Sequence, residues 1–560
     1  IVSSMVAAPK VKFVRGVSQL GVSYVYIVFE DETDMYWARS RVIEYMQNIT
    51  GSLPPGVTPT LGPDATGTGW VFEYALVDES GRHDLSDLRS LQDWTLKYWL
   101  ESTEGVAEVA SVGGYVKQYQ ITVKPETLLV YNLSLRTIIE AVKKGNNDVG
   151  ARVLEIAGSE YMVRGRGYIQ SLEDIRDIPV GKDQYGTPVF IRDVAQVALG
   201  PEMRRGLVEL DGKGEVVGGI VVMRHGENAL QVIERVKSKI REIEKNLPPG
   251  VKVIVTYDRS ILIRHAIQTL KRTLTEEVII VSLICFIFLF HIRSSLVAIL
   301  TLPIAILWAF IPMHLLRIPA NIMSLGGIAI AIGAMIDAAI VMVENAHKKL
   351  EEQPDADRVT VIIKAAKQVG KPLFFSLLII SVSFIPVFTL EAQEGRLFRP
   401  LAFTKTFAML AASILAITMV PLLMVFGIKG KITPENKNPV NRLLFAIYNP
   451  CIKMALKFKK STIAIAVVML FLTIPLYGKL GSEFMPPLNE GTMLYMPTSV
   501  PGISITEASR ILNIQDKVIK TVPEVDHVFG KIGRADTSTD PAPLNMVETV
   551  ITFKPREQWR

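Results

Sequence analysis

Cysteine is almost absent from this 560-residue chain, which holds only Cys285 and Cys451. They form no CxxC pair, which excludes a disulfide framework and a thiolate zinc site. Histidine is scarce as well. No two of His83, His225, His265, His291, His314, His347 and His527 fall within a helical turn, and none stands beside a cysteine. Zinc sites want His, Cys or carboxylates at short spacing, so the sequence offers no such site. A phosphate-cradling loop, a nucleophile elbow and a metal-hydrolase motif are all missing, so an enzyme reading has nothing to rest on and no cofactor is called for. The net charge of +6 is modest and spread along the chain, which argues against a nucleic-acid surface.

Charge is missing most conspicuously from the middle of the chain. Mean hydropathy is +0.30 although 21% of residues are charged. The two values coexist because residues 1–275 and 481–560 read as water-facing, whereas roughly 276–480 is dominated by apolar runs. Six runs, 277–292, 295–316, 321–343, 373–390, 403–426 and 461–480, approach the length that spans about 30 Å of hydrocarbon. The loops 291–294, 344–372 and 427–460 carry fifteen Lys and Arg, whereas 317–320 and 391–402 carry only Arg317, Arg396 and Arg399. The positive-inside rule therefore places both water-facing blocks outside the cytoplasm. The stretch 439–460 reads as a basic amphipathic helix on the membrane surface.

One carboxylate interrupts the apolar runs. From Ile322 to Asn345 the only charges are Asp337 and, near the end, Glu344. A charge at the bilayer centre costs about 2.5–3.5 kcal/mol on insertion scales, so Asp337 is a candidate for loading and releasing a proton in energy coupling. An interhelical hydrogen bond is the plainer alternative.

Methionine is plentiful, with nineteen residues. Its thioether suits Cu(I) and Ag(I) and is poor for Zn(II). Met335 and Met342 are seven residues apart and fall within about 20° on one helix face, with Asp337 roughly 140–160° away. Met409 and Met424 differ by about 60° on one continuous helix. Membrane helices also use Met as filler, so periodicity alone leaves both readings open.

The water-facing blocks alternate strands and helices. SYVYIVFED, WVFEYALV and YVKQYQITV are strand-like; MYWARSRVIEYMQNI and LRSLQDWTLKYWLES are helical. A strand, a helix and LPPGV occur at 53–57 and again at 247–251, suggesting a duplicated βαβ-type module. After residue 481 a third unit opens, with MLYMPTSV, ITEASRILNIQDKVIKTV and a strand at 547–554.

The pieces GPDATGTGWVFEYALVD, EVASVGGYVKQYQ, GPEMRRG, NIMSLGGIAIAIGAMIDAAIVMVENAHK, PLAFTKTFAM, FMPPLNEG and LYMPTSVPGIS closely resemble heavy-metal efflux pumps of the resistance–nodulation–cell division (RND) superfamily, and within it the copper/silver branch. The resemblance covers essentially the whole chain. It implies a polytopic α-helical membrane protein with α+β periplasmic porter subdomains built from ferredoxin-like βαβ repeats. Residues 1–265 would hold porter subdomains with part of a docking domain, 266–480 spans two to seven, and 481–560 the start of the second porter region. The chain begins at Ile1 with neither initiator Met nor signal peptide, and reads as part of a longer protein.

The resemblance further implies a homotrimeric proton antiporter in the bacterial inner membrane, working with a periplasmic adaptor and an outer-membrane channel. Asp337 matches the proton-relay carboxyl of the fourth span. Met203, Met323, Met335, Met342, Met409 and Met424 match a relay of paired thioethers, Met335 with Met409 and Met342 with Met424. Met496 matches the first of three Met in a periplasmic metal cluster, and Glu490 lies near that cluster. Met313 and Met419 match no ligand position. The rivals are a divalent-metal (zinc/cobalt/cadmium) exporter, a multidrug pump, which would carry a second Asp where Ala338 stands, and a protein-translocation or sensory module.

Overall fold

The computed structural model describes residues 1–183, 185–289, 291–316, 318, 320–429, 438–481 and 491–560. The chain divides into two compact units, one of Ile1–Ser260 with Asn489–Arg560 and one of Ile261–Leu488.

The first unit is organised by an eight-stranded sheet. Its strands are β1 (Trp70–Asp78), β2 (Val106–Gly113), β3 (Gly206–Leu210), β4 (Glu215–Met223), β5 (Val251–Asp258), β6 (Thr492–Tyr495), β7 (Val525–Gly533) and β8 (Val547–Phe553). The spatial order is β5-β1-β4-β3-β7-β8-β6, with β2 also on β4. Helical residues 85–101 connect β1 to β2, and the helix Ala229–Ile243 connects β4 to β5. The four strands β5-β1-β4-β2 thus form the split βαβ arrangement of a ferredoxin-like module. β1 and β4 are buried along most of their length, which explains their near-continuous apolar sequence. Phe72, Tyr74, Leu96, Leu100, Val232 and Val236 form the core on one sheet face. Tyr74 lies across Gly219, where a Cβ would collide with the phenol ring. The buried hydroxyl donates to Gln92 Oε1 at 2.9 Å, as a buried phenol requires.

Both LPPGV copies end a helix in the same way. The helices Met35–Ile49 and Ala229–Ile243 run into the 3₁₀ turns Thr50–Ser52 and Glu244–Asn246. Each LPPG then turns on a glycine at positive φ, Gly56 at 83° and Gly250 at 97°. Only glycine adopts this conformation without strain. Between β2 and β3 the chain builds a separate module, in which Lys117–Val123 pairs with Ala195–Pro201 over its own apolar cluster around Ile138, Ile175 and Ile191.

The second unit is helical: α1 (Arg259–Leu289), α2 (Ile292–Leu315), α3 (Ile322–Glu352), α4 (Arg358–Val382), α5 (Ala392–Ile417), α6 (Met419–Gly427), α7 (Pro439–Lys457) and α8 (Lys459–Tyr477). Among the described residues five segments are long and apolar enough to cross a membrane: Arg293–Leu315, Ile322–Glu352, Arg358–Thr389, Glu394–Ile417 and Lys459–Tyr477. The run expected at 277–292 begins as the C-terminal part of α1 and continues into Phe290, which lies outside the described residues. The run expected at 403–426 is two helices. Pro421 has no N–H to offer the carbonyl four residues back, and the helix breaks at Thr418. The expected loop 344–372 is mostly helix, since α3 and α4 extend past the apolar stretch and leave only 353–357 between them. A helix, α7, occupies the stretch near 439–460 where one is expected. Asn438 at its N-terminus donates to the carbonyls of Ile287 and Phe288 at 2.7 and 3.0 Å, which satisfies the end of α1.

Candidate functional site

The site is built on α3, whose composition sets its packing. Glycine and alanine let neighbouring helices approach closely in a membrane. At Gly327 the α5 backbone is so near that a Cβ would sit 2.5 Å from the Leu401 carbonyl oxygen. Met335 lies eight residues beyond Gly327 and Met409 eight beyond Leu401, about 12 Å along each axis at 1.5 Å per residue. Both thioethers are buried in one cluster with Ala331, Ala338, Ala408 and Ala412. Two turns further on, Met342 and Met424 are buried in a second cluster between α3 and α6, and Gly370 of α4 faces the Met342 methyl. The two expected pairs therefore share clusters. The 60° estimate for Met409 and Met424 does not apply, because the break at Thr418 puts them on different helices.

Asp337 takes the opposite face. Ile330, Gly333, Asp337, Val341 and Glu344 form an exposed stripe at three- and four-residue spacing, while Met335 and Met342 point inward. Above Gly333 there is open space. Among the described residues Asp337 has no ion pair or hydrogen bond. The angular arithmetic along α3 holds because the helix is unbroken over its 31 residues.

The remaining residues are dispersed. Met323 is half-buried at the start of α3. Met203 is 69% exposed in the water-facing unit, with its sulfur accepting from Arg205 Nη2 at 3.1 Å. Met496 is 45% exposed just past β6, near the extra thioether Met493. Glu490 lies outside the described residues, as do most of FMPPLNEG and the loop cations Arg317, Lys431 and Lys437. Met419 packs at the edge of the Met335 cluster.

Three features escaped the sequence pattern because only tertiary packing creates them. Cys285 is buried in the Met342–Met424 cluster. His291 and His347, 56 residues apart in the chain, lie with ring centroids 5.7 Å apart. His291 accepts the Ser294 N–H and donates to the Lys429 carbonyl at 3.1 Å, while Nε2 of His347 is buried without a partner. Lys405, one turn before Met409, is buried at 8% exposure with its ammonium 3.0 Å from the centroid of Phe384. No carboxylate pairs with it among the described residues.

Apolar helices that bury methionine thioethers in shared clusters and leave Asp337 on an exposed stripe, with an antiparallel ferredoxin-like module in the other unit, define a polytopic membrane protein of the RND transporter fold. The model of the AcrB/AcrD/AcrF family matches residues 1–560, and the chain belongs to that family. It is an inner-membrane protein of that class. It is 54% identical over its whole length to the cation efflux system protein CusA of Escherichia coli strain K12, covering 54% of that protein. It resembles the putative cation efflux system protein SilA of Salmonella typhimurium at 54% identity, again covering 54% of it. It is 35% identical over 99% of its length to the cobalt-zinc-cadmium resistance protein CzcA of Cupriavidus metallidurans, covering 53% of it. Two crystal forms of a heavy-metal efflux pump superpose with TM-scores of 0.84 and 0.86 at 31% and 32% identity, covering all of this chain and 53% of each solved chain. The chain thus spans about half the length of the curated relatives it matches.

Proposed function

We propose that the protein carrying this chain exports Cu(I) and Ag(I) across the bacterial envelope, driven by protons taken up at Asp337. It would act as a homotrimer with a periplasmic adaptor and an outer-membrane channel. The observation that carries the reading is the burial of Met335 with Met409, and of Met342 with Met424, in two successive clusters along α3. Soft, neutral thioethers desolvate a monovalent soft cation without adding charge to the membrane. The greater identity to CusA and SilA than to CzcA supports the monovalent branch. Asp337 on the far side of the same helix lets one rigid element respond to both ions. Met203, Met323, Met496 and Glu490 are the further proposed stations, with Met496 as the periplasmic one.

The test is a pattern in Ag(I) transport by inside-out vesicles. Met335→Ile and Met409→Ile should each abolish transport from the cytoplasmic side, and the double variant should be no worse, since one missing rung stops a relay. Met419→Ile serves as the control and should transport normally. Met496→Ile keeps the side-chain volume and should remove silver resistance while leaving zinc tolerance unchanged. Wild-type transport by Met335→Ile would eliminate the intramembrane route. Additive losses that are equal for every metal would reveal packing sites instead.

A further inference from the structure

The water-facing unit contains a pocket of about 110 Å³ whose lining includes four arginines, Arg89, Arg204, Arg205 and Arg534. The backbone explains why two of them meet. β3 begins at Gly206 and β7 ends at Gly533, and these glycines are directly paired. A Cβ on Gly206 would strike the Arg534 carbonyl, and one on Gly533, at φ 75°, would strike the Arg205 carbonyl. Only this close crossing, closed by the Arg534 N–H donating to the Arg205 carbonyl at 3.2 Å, sets Arg205 and Arg534 at the same sheet end.

The four guanidiniums differ in what satisfies them. Arg89 is paired with Asp93 and Asp536 and donates to the Gly113 carbonyl. Arg204 is paired with Glu215. Arg205 and Arg534 have no ion pair among the described residues, although Arg534 hydrogen-bonds the Tyr24 hydroxyl and both Glu202 and Asp536 line the pocket. Nε of Arg205 and Nη1 of Arg534 are buried and make no hydrogen bond. Buried donors without partners are rare, and each carries the desolvation penalty of a charged group. Two cations without an ion pair among the described residues, lining one pocket, call for an acceptor that carries negative charge. The planar guanidinium fork matches the paired oxygens of a phosphate or carboxylate.

We infer that this pocket binds a small free oxyanion, a phosphate or a carboxylate, held between Arg205 and Arg534. The anion offsets the two charges that have no ion pair among the described residues. It also competes for Arg205 with the Met203 sulfur, to which Arg205 now donates.

Calorimetric titration of the purified whole pump with inorganic phosphate, and separately with acetate, tests the site. Saturable binding of one anion per chain is expected for at least one of the two. Arg205→Gln and Arg534→Gln should each weaken it at least ~10-fold. Arg205→Lys keeps the charge but not the fork and should weaken it less, which preserves the test if a Gln variant misfolds. Arg136→Gln, an exposed charge on another module, should bind as the wild type does. Absence of saturable binding, or equal binding by the Gln variants, overturns the assignment. So does a structure of the whole pump in which an acidic side chain of the protein fills the fork.

Discussion

Three buried charges of the water-facing unit and two charges within the apolar helices of the other unit differ in what surrounds them. In the water-facing unit Lys531, Glu209 and Asp211 are buried and satisfied in place. Lys531, on β7, donates to Asp540 and Glu548 at 2.7 Å each and to the Gly533 carbonyl. Glu209 accepts from the N–H groups of Gly212 and Gly214 and from Asn513. For Asp211, burial alone would raise the carboxyl, but hydrogen bonds from His527, Val528 and Lys520 outweigh it and hold the group at about 2. In the helical unit Asp337 has no partner, and Lys405 has only an aromatic face. A closed network is an element of architecture, since removing one member strands the others. A charge left unpartnered within an apolar helix has no such structural role and is a candidate for a working site.

The largest expected effect follows from Asp337. Asp337→Asn keeps the size and polarity but cannot titrate. It should abolish proton-coupled metal transport in reconstituted vesicles and leave folding and metal binding intact. Each charge moved across 100 mV is worth about 2.3 kcal/mol, so under the proposed coupling loss of this group should remove the driving force. Normal transport by Asp337→Asn would place Asp337 with the structural charges and collapse the contrast between the units.

Lys531 is the counterpart on the other side. Lys531→Met leaves Asp540 and Glu548 facing each other without a cation in a buried site. The water-facing unit should lose about 3–5 kcal/mol, read as faster hydrogen exchange in β7 and β8. Glu73, which burial lifts to about 7, is restrained from going higher by Lys531, so the same variant should shift its titration further upward. Unchanged exchange would mean that the network contributes nothing.

How much of this was legible in the sequence depends on the range of the contact involved. Asp337 and the shared face of Met335 and Met342 were readable because an unbroken helix turns at a fixed angle. The same arithmetic failed for Met409 and Met424, where Pro421 ends the helical ladder. The LPPGV repeat was readable because a turn that needs positive φ writes a glycine into the chain. The β3–β7 crossing was not, because its partners, such as Leu207 and Ile532, are over 300 residues apart and neither strand signals the other. The His291–His347 pair and the Arg205–Arg534 pair were hidden for the same reason. Glu209 and Asp516 also meet only in the folded state, where their closeness has a consequence for pH.

Asp516 lies buried against Gly530, with its carboxyl lifted to about 9, first by burial and then by Glu209. The unfolded value is near 3.8, so the native state holds a proton that the unfolded chain has lost between those limits. The proton's contribution to stability is complete below about 4 and declines as pH rises through about 9. Asp516→Asn needs no proton and can still donate to Glu209. It should stabilise the helix Ile505–Lys520 by at least ~1 kcal/mol at pH 7, with the gain growing from pH 5 to pH 8.5. Native-state hydrogen exchange measures it, and a gain that shrinks with rising pH would reverse the assignment of the proton.

The smallest expected change is the one that separates the units most cleanly. Lys405 and Lys531 are both buried lysines, at 8% and 4% exposure. Lys405→Met keeps the length of the side chain and strands no carboxylate among the described residues. It exchanges an ammonium resting on Phe384 for a thioether that packs on the same ring. Folding stability should therefore change by less than ~1 kcal/mol, since the lost cation–π contact is offset by relief of desolvation. Hydrogen exchange in α5, compared with exchange in β7 and β8 of Lys531→Met, puts the two lysines on one scale. A loss at Lys405 as large as that at Lys531 would mean that its charge is part of a closed network after all, and the distinction between architectural and working charge would no longer follow the boundary between the units.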